Sequence, residues 1–156
     1  MDQNFTRSVL SWYDAGHRDL PWRRTKDAYR IWVSEIMLQQ TRAETVVSYY
    51  ERFLARYPDV RALADAPEEE LLKAWEGLGY YSRPRLLQKA ARAIVSQYGG
   101  ELPADLQKLR ALPGVGDYTS GAIASIAFGI PAAAVDGNVE RVICRYFAIS
   151  EEMGSP

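Results

Sequence analysis

The chain has 156 residues, 47% hydrophobic and 25% charged, long enough to bury a core in one domain and too apolar to stay disordered. A formal net charge of −1 argues against a sequence-independent polyanion binder, which carries a strong basic excess, and the one cysteine, Cys144, excludes an internal disulfide or a cysteine-only metal site from this chain alone. No apolar run approaches the ~20 residues of a membrane helix and the start MDQNFTRS is polar, so neither a membrane partner nor a secretory signal is expected, and a reducing cytoplasm is.

Phe5 to Gly16 carries Val9, Leu10, Trp12 and Tyr13 at helical spacing and predicts an amphipathic helix closed by Gly16. His17 follows it as a partner for the negative end of its dipole. Pro21 disfavours helix before it, so Arg18 to Arg24 is expected as a loop, with Trp22 a core anchor on its chemistry alone. Asp27 can cap a helix running through Leu38, whose Tyr29, Trp32, Val33, Ile36 and Met37 form a broad apolar face. Glu35 sits among them, and periodicity leaves two readings open: a carboxylate turned to solvent between apolar neighbours, or a partly buried acid with a raised pKa. Thr41-Arg42-Ala43-Glu44 reads as a capping box opening a helix through Val46, Val47, Tyr50, Phe53 and Leu54 to Tyr57, which Pro58 stops. The box accounts for Glu44, which is otherwise a rival acid.

Asp59 to Ala66 predicts a short helix and Glu68 to Glu76 another, with Pro67 at its first position and acids on its positive end. Gly77 and Gly79 open the loop Leu78 to Arg83, whose Tyr80 and Tyr81 are either packing residues or exposed aromatics suited to wedging between bases. Ser82 reads as the cap of a long helix carrying Leu86, Leu87, Ala90, Ala91, Ile94 and Val95 as far as Gly99-Gly100, and Leu106 to Leu112 gives the next. No strand pattern and no repeat is present, so the expected fold is all-α. Acids gather at Glu68 to Glu70 and at Glu151-Glu152, and Arg18, Arg23, Arg24, Lys26 and Arg30 near the other end, an asymmetry that can create a basic face hidden by the sum.

Leu112-Pro113-Gly114-Val115-Gly116 is too short for a strand and too rich in glycine for a helix, which makes it a tight turn with exposed backbone N–H groups suited to a phosphate. Asp117 begins the following helix, apolar nearly all round through Ala122, Ile123, Ala124, Ile126, Ala127 and Phe128, a core helix stopped by Gly129 and Pro131. Val135-Asp136-Gly137-Asn138 then sets an acid before the run Val139, Val142, Ile143, Tyr146 and Phe147, in which Cys144 reads as a buried structural thiol. A glycine turn for phosphate beside a carboxylate points to chemistry on nucleic acid.

That hairpin followed by Asp136 resembles the helix-hairpin-helix superfamily of DNA base-excision glycosylases. Pro21-Trp22-Arg23, the run Ser34 to Thr41 and the run Gly77 to Arg83 resemble, within it, the MutY-type adenine glycosylase branch, from about Asp19 to about Phe147. The resemblance implies a six-helix barrel module over 21–135 with its hairpin at 112–116. It also implies an N-terminal helix in 1–20 that packs with an iron-sulfur subdomain, and a catalytic-aspartate turn leading into the start of that subdomain over 136–156. The implied activity is monofunctional hydrolysis of the N-glycosidic bond of adenine mispaired with 8-oxoguanine or guanine, in base excision repair at the bacterial nucleoid. The implied partner is double-stranded DNA with that mismatch, bound by a monomer.

Under this resemblance Glu35 protonates the leaving adenine at N7. Asp136 stays ionised and stabilises the sugar cation, directly or through a transient covalent bond, and Asn138 orients it or the nearby water. Arg23 lies near the flipped adenine, Gln40, Thr41, Leu78 and Tyr80 fill or probe the opened stack, and the amides of Gly114, Val115 and Gly116 grip the backbone, while hairpin carbonyls hold a monovalent cation. Tyr118 stands where bifunctional relatives place the lysine that attacks the sugar, and a phenol forms no Schiff base, so strand nicking is expected to be absent or weak. Thymine-specific relatives acting on T:G mismatches also carry tyrosine there, which leaves them as an alternative. Full-length adenine glycosylases add four cysteines for a 4Fe-4S cluster and a domain that recognises 8-oxoguanine. This sequence holds neither, so it reads as a fragment or a shortened relative with no metal site of its own. Val9, Leu10 and Trp12 are accordingly expected to be partly exposed or covered by another chain, including a second copy. A DNA-binding module without turnover is the remaining alternative.

Overall fold

The computed structural model describes residues 3–150, so the expected Glu151-Glu152 acid pair lies outside them. Among the described residues all regular structure is helical. The helices are α1 (Gln3–Gly16), α2 (Ala28–Leu38), α3 (Ala43–Arg56), α4 (Val60–Asp65), α5 (Glu68–Ala74), α6 (Ser82–Tyr98), α7 (Leu106–Arg110), α8 (Asp117–Phe128) and α9 (Gly137–Tyr146), with a single 3-10 turn at Pro21–Arg23. None of them is long and apolar enough to cross a membrane.

The centre is α2. Every residue from Ile31 to Met37 is buried, so this helix has no solvent face and its neighbours must close it on all sides. Helices α3, α6 and α8 pack against it, α4 against α6, and α7 against α8. Burying a side chain such as Trp32 or Met37, both at 0% exposure, contributes roughly 1.5–3 kcal/mol, so the core of α2 is the main fixed point of the fold. Short-range chemistry sets the helix ends. Asp27 accepts from the Arg30 amide (2.8 Å), Asp59 from Ala62 (2.8 Å) and Asp105 from Lys108 (2.9 Å). Gly99 (φ 66°) and Gly129 (φ 65°) close α6 and α8 in the left-handed conformation that favours glycine.

Three expected starts are corrected. Thr41 does not cap α3: Arg42 holds that position without a side-chain bond, and the Thr41 hydroxyl turns back to the Gln39 carbonyl (3.3 Å). Glu44 is exposed and accepts from Arg18 at 2.6 Å instead. Ser82 is already inside α6, behind Tyr81, and Pro67 precedes α5 rather than opening it. Helix α8 is buried only from Thr119 to Ala124, and Ile126 is exposed. The outer pair α1 and α9 buries no residue at all. Val9, Leu10 and Trp12 are 44%, 57% and 68% exposed, as the resemblance led us to expect, and Cys144 is half-buried rather than buried. The contacts between the pair are aromatic, with the Phe5 ring 4.4 Å from that of Tyr146 and 5.6 Å from that of Phe147.

Candidate active site

A cleft of about 930 Å³ opens between the end of α2, the start of α8 and the start of α9, lined by Glu35, Gln40, Thr41, Tyr118, Asp136 and Asn138 among others. A second cavity of about 400 Å³ lies behind it, walled by Trp22, Arg23, Ile31, Leu38 and Ile126. Glu35, Leu38 and Tyr118 border both, and so form the partition between the open groove and the smaller cavity.

The two acids reach this cleft by different routes. Glu35 is 8% exposed on the all-buried stretch of α2, which decides between its two sequence readings. Burial pushes its carboxyl above the ordinary range, the Tyr118 hydroxyl beside it acts in the opposite direction, and the Asp136 charge adds to the rise. Asp136 caps α9. Its Oδ1 accepts from the amides of Asn138 (3.0 Å) and Val139 (2.8 Å), and its Oδ2 from the Asn138 side-chain amide (3.0 Å). The Val139 amide is the main cause that lowers its pKa, with both Asn138 donors helping against partial burial. Between them, Tyr118 is held protonated: burial raises its pKa first, and the charges of Glu35 and Asp136 add to it. One acid pushed towards its neutral form and one carboxylate held towards its ionised form therefore share a cleft, an arrangement able to protonate a leaving group and stabilise a developing cation.

Gly121 makes this meeting geometrically possible. A Cβ there would lie 2.0 Å from the Ala133 carbonyl oxygen, so the segment Ala132 to Ala134 crosses α8 only because residue 121 lacks a side chain. That crossing carries the chain to Asp136. A glycine inside an apolar helix followed by three alanines was the available signal. Arg42 and Arg141, which the sequence did not single out, also line the large cleft.

The residues expected to touch DNA divide. Gln40 and Tyr80 are exposed and both adopt left-handed backbone, with φ of 59° and 50°. Arg23 lines the smaller cavity, its guanidinium 5.3 Å from the Tyr13 ring centroid and donating to the Arg18 carbonyl (3.0 Å). Leu78 is corrected: it is 5% exposed, its amide bound to the Trp75 carbonyl (3.1 Å), and it belongs to the core. In the hairpin, Gly114 takes φ 73° with its α-carbon against Leu86. Val115 is also corrected, because its side chain is buried and its amide closes the turn on Leu112 (3.1 Å). That leaves the amides of the exposed Gly114 and Gly116, which have no backbone partner among the described residues. Cys144 is one thiolate where a 4Fe-4S cluster takes four, so the residues present do not fit such a group.

Residues 33–155 match the model of the HhH-GPD superfamily of base excision DNA repair proteins. The chain is 51% identical to the adenine DNA glycosylase of Homo sapiens over 97% of its own length, and spans 29% of the length of that relative. Among solved structures it superposes on a thermostable thymine-DNA glycosylase with a TM-score of 0.90 at 37% identity, covering 95% of this chain and 69% of that one. A non-covalent endonuclease III–DNA complex gives 0.77 at 27% identity, with 91% and 67% covered.

Proposed function

Because the chain belongs to the HhH-GPD superfamily of base excision DNA repair proteins, we propose that it is a monofunctional DNA glycosylase acting on adenine mispaired with 8-oxoguanine or guanine in double-stranded DNA. The observation that carries this reading is the pair Glu35 and Asp136, which line one cleft with Tyr118 and whose carboxyls are shifted in opposite directions, Glu35 up and Asp136 down. The 51% identity to the human adenine DNA glycosylase favours adenine, and the 0.90 superposition on a thymine-DNA glycosylase at 37% identity keeps T:G as the second substrate to test.

The extruded base enters the smaller cavity beside Arg23 and Trp22, and its sugar lies in the groove. Extrusion costs a few kcal/mol, which backbone contacts and the exposed Gln40 and Tyr80 offset. Glu35, whose protonated form burial favours, donates its proton to the base as the glycosidic bond breaks, so the base leaves uncharged. Asp136 faces the sugar cation that forms, and Asn138 holds the carboxylate through Oδ2 while the α9 amides keep it ionised. Water completes the hydrolysis. With a phenol at 118 there is no amine to form a Schiff base, so the product is an abasic site in an intact strand.

A single-turnover assay on duplexes with A opposite 8-oxoguanine, A opposite G and T opposite G, read with and without alkali, tests this. Alkali-dependent cleavage at A that disappears in Glu35→Gln is the expected result. Cleavage without alkali, or at T alone, overturns it, and retained binding with no product on any duplex identifies a DNA-binding module instead.

A further inference from the structure

Arg83, the second residue of α6, is a buried cation with no carboxylate against it. It is 7% exposed, and among the described residues its guanidinium meets carbonyl oxygens, one hydroxyl and two aromatic rings. Nη1 lies 3.1, 3.0 and 2.5 Å from the carbonyl oxygens of Ile36, Met37 and Gln39, and Nη2 lies 2.8 and 3.1 Å from those of Leu78 and Gly79. The Thr41 hydroxyl is 3.4 Å from both nitrogens. The guanidinium carbon sits 5.3 Å from the Trp75 ring centroid and 5.6 Å from that of Tyr80. Nε has no partner.

An unpaired buried charge is costly, and an apolar side chain of similar size fills such a space more cheaply. What the guanidinium adds is a rigid planar fork that takes carbonyls from separate segments at once. The carbonyls it takes have a pattern. Gln39 and Gly79 immediately precede Gln40 and Tyr80, two exposed non-glycine residues with left-handed φ, and strained positions of this kind persist only where their surroundings over-determine them. Ile36 and Met37 directly follow Glu35 on α2.

We infer that Arg83 is a positioning residue, a single clamp that locks the left-handed peptides at Gln40 and Tyr80 to each other and to the last turn of α2. The two exposed side chains are thereby presented to the base stack in register with Glu35. The DNA step of this inference rests on the proposed function, whereas the clamp itself does not.

Arg83→Lys keeps the charge and loses the fork and the stacking. On a duplex carrying 2-aminopurine opposite guanine, the fluorescence rise that reports extrusion is expected to slow by roughly tenfold to a hundredfold, because a small misplacement of the inserting groups is enough. Affinity for fully matched duplex, which phosphate contacts dominate, is expected to stay within about twofold. In a Gln40→Ala/Tyr80→Ala background the same change is expected to have almost no further effect. An equal slowing in that background means that Arg83 is only structural, and overturns the clamp. A second measurement, independent of the folding of the variant, is hydrogen exchange on the unaltered chain: amides of 39–41 and 78–80 are expected to open with one shared protection, and two distinct protections overturn the inference. Absence of excision by the unaltered chain on every duplex would defeat the proposed function while leaving the exchange result to decide the clamp.

Discussion

Helices α2 and α9 each bring one carboxylate to the same cleft, and they hold it by opposite means. Helix α2 is buried along its whole central stretch, and burial there pushes the Glu35 carboxyl up, towards its neutral form. Helix α9 buries nothing, and Asp136 stays ionised because three donors within three residues of it supply the hydrogen bonds. Keeping an acid protonated is thus a property of the assembled core. Keeping one ionised is a local property of a single helix end, available even to a peripheral helix.

The largest expected effect tests the first half of this contrast. Glu35→Gln removes the proton donor with little change of shape, and excision is expected to fall by at least about a hundredfold, the lower end of what general acid catalysis contributes. Its folded pKa lies above the unfolded value, so the favourable contribution of the protonated carboxyl is complete below an unfolded value of about 4.3 and is lost as pH rises through the folded one. Excision by the unaltered chain should fall over the same upper window. At neutral pH Glu35→Gln should therefore melt higher than the unaltered chain, at about 2–4 °C per kcal/mol gained, and the two should converge as pH drops toward 4. A variant that melts lower at pH 8 would show that Glu35 is better solvated than the all-buried α2 implies.

Next in size is Gly121→Ala. Its Cβ would meet a backbone oxygen at 2.0 Å, so either α8 or the alanine segment must move, at a cost of about 1–3 kcal/mol. The movement falls on the route to Asp136. Chemical denaturation gives the first quantity, and single-turnover excision is expected to fall further than the lost stability explains. If excision is unchanged, the crossing of Ala132 to Ala134 does not position the second carboxylate.

Much of this was legible in the sequence, and the dividing line is the range of the interaction. Asp27 as a cap, Gly129 as a stop and Asp136 ahead of an apolar run depend on neighbours within a few positions, and all stand where their patterns placed them. Thr41, Leu78 and Val115 were misread because each is decided by a distant partner or a strained turn. Gln40 takes a left-handed conformation that turns the chain before α3, so the Thr41 hydroxyl faces Gln39 and Arg83 instead of the helix end. Leu78 follows the turn on Trp75 into the core, and only Tyr80 is left outside. The burial of Glu35 lies between these cases, since an acid among apolar residues at helical spacing is visible while the helices that close over it are not.

A smaller effect probes the second half of the contrast. In Asp136→Asn the cap geometry is retained and the charge is not, so the expected cost at neutral pH is only about 0.5 kcal/mol, within the range for helix-dipole and capping effects. The folded pKa of Asp136 is lowered, so its contribution is present above the ordinary value of 3.8 and disappears as pH falls through the folded value. Thermal melts from pH 7 to pH 2 should show the unaltered chain losing this advantage at the acid end. A difference that instead grows toward low pH would mean that Asp136 is not the ionised partner of the pair.

The smallest expected effect concerns Glu44, the rival acid on α3. Glu44 pairs with Arg18 at 2.6 Å, but both side chains are well exposed, at 72% and 62%, and exposed pairs contribute about 0–1 kcal/mol. It has neither the burial that pushes the Glu35 carboxyl up nor the amides that hold Asp136 ionised. Glu44→Gln is accordingly expected to shift stability by less than about 0.5 kcal/mol and to leave single-turnover excision unchanged. A loss of excision approaching that of Glu35→Gln would make environment a poor guide to the acid, because a solvated carboxylate on α3 would then be doing what the contrast between α2 and α9 assigns to enclosure.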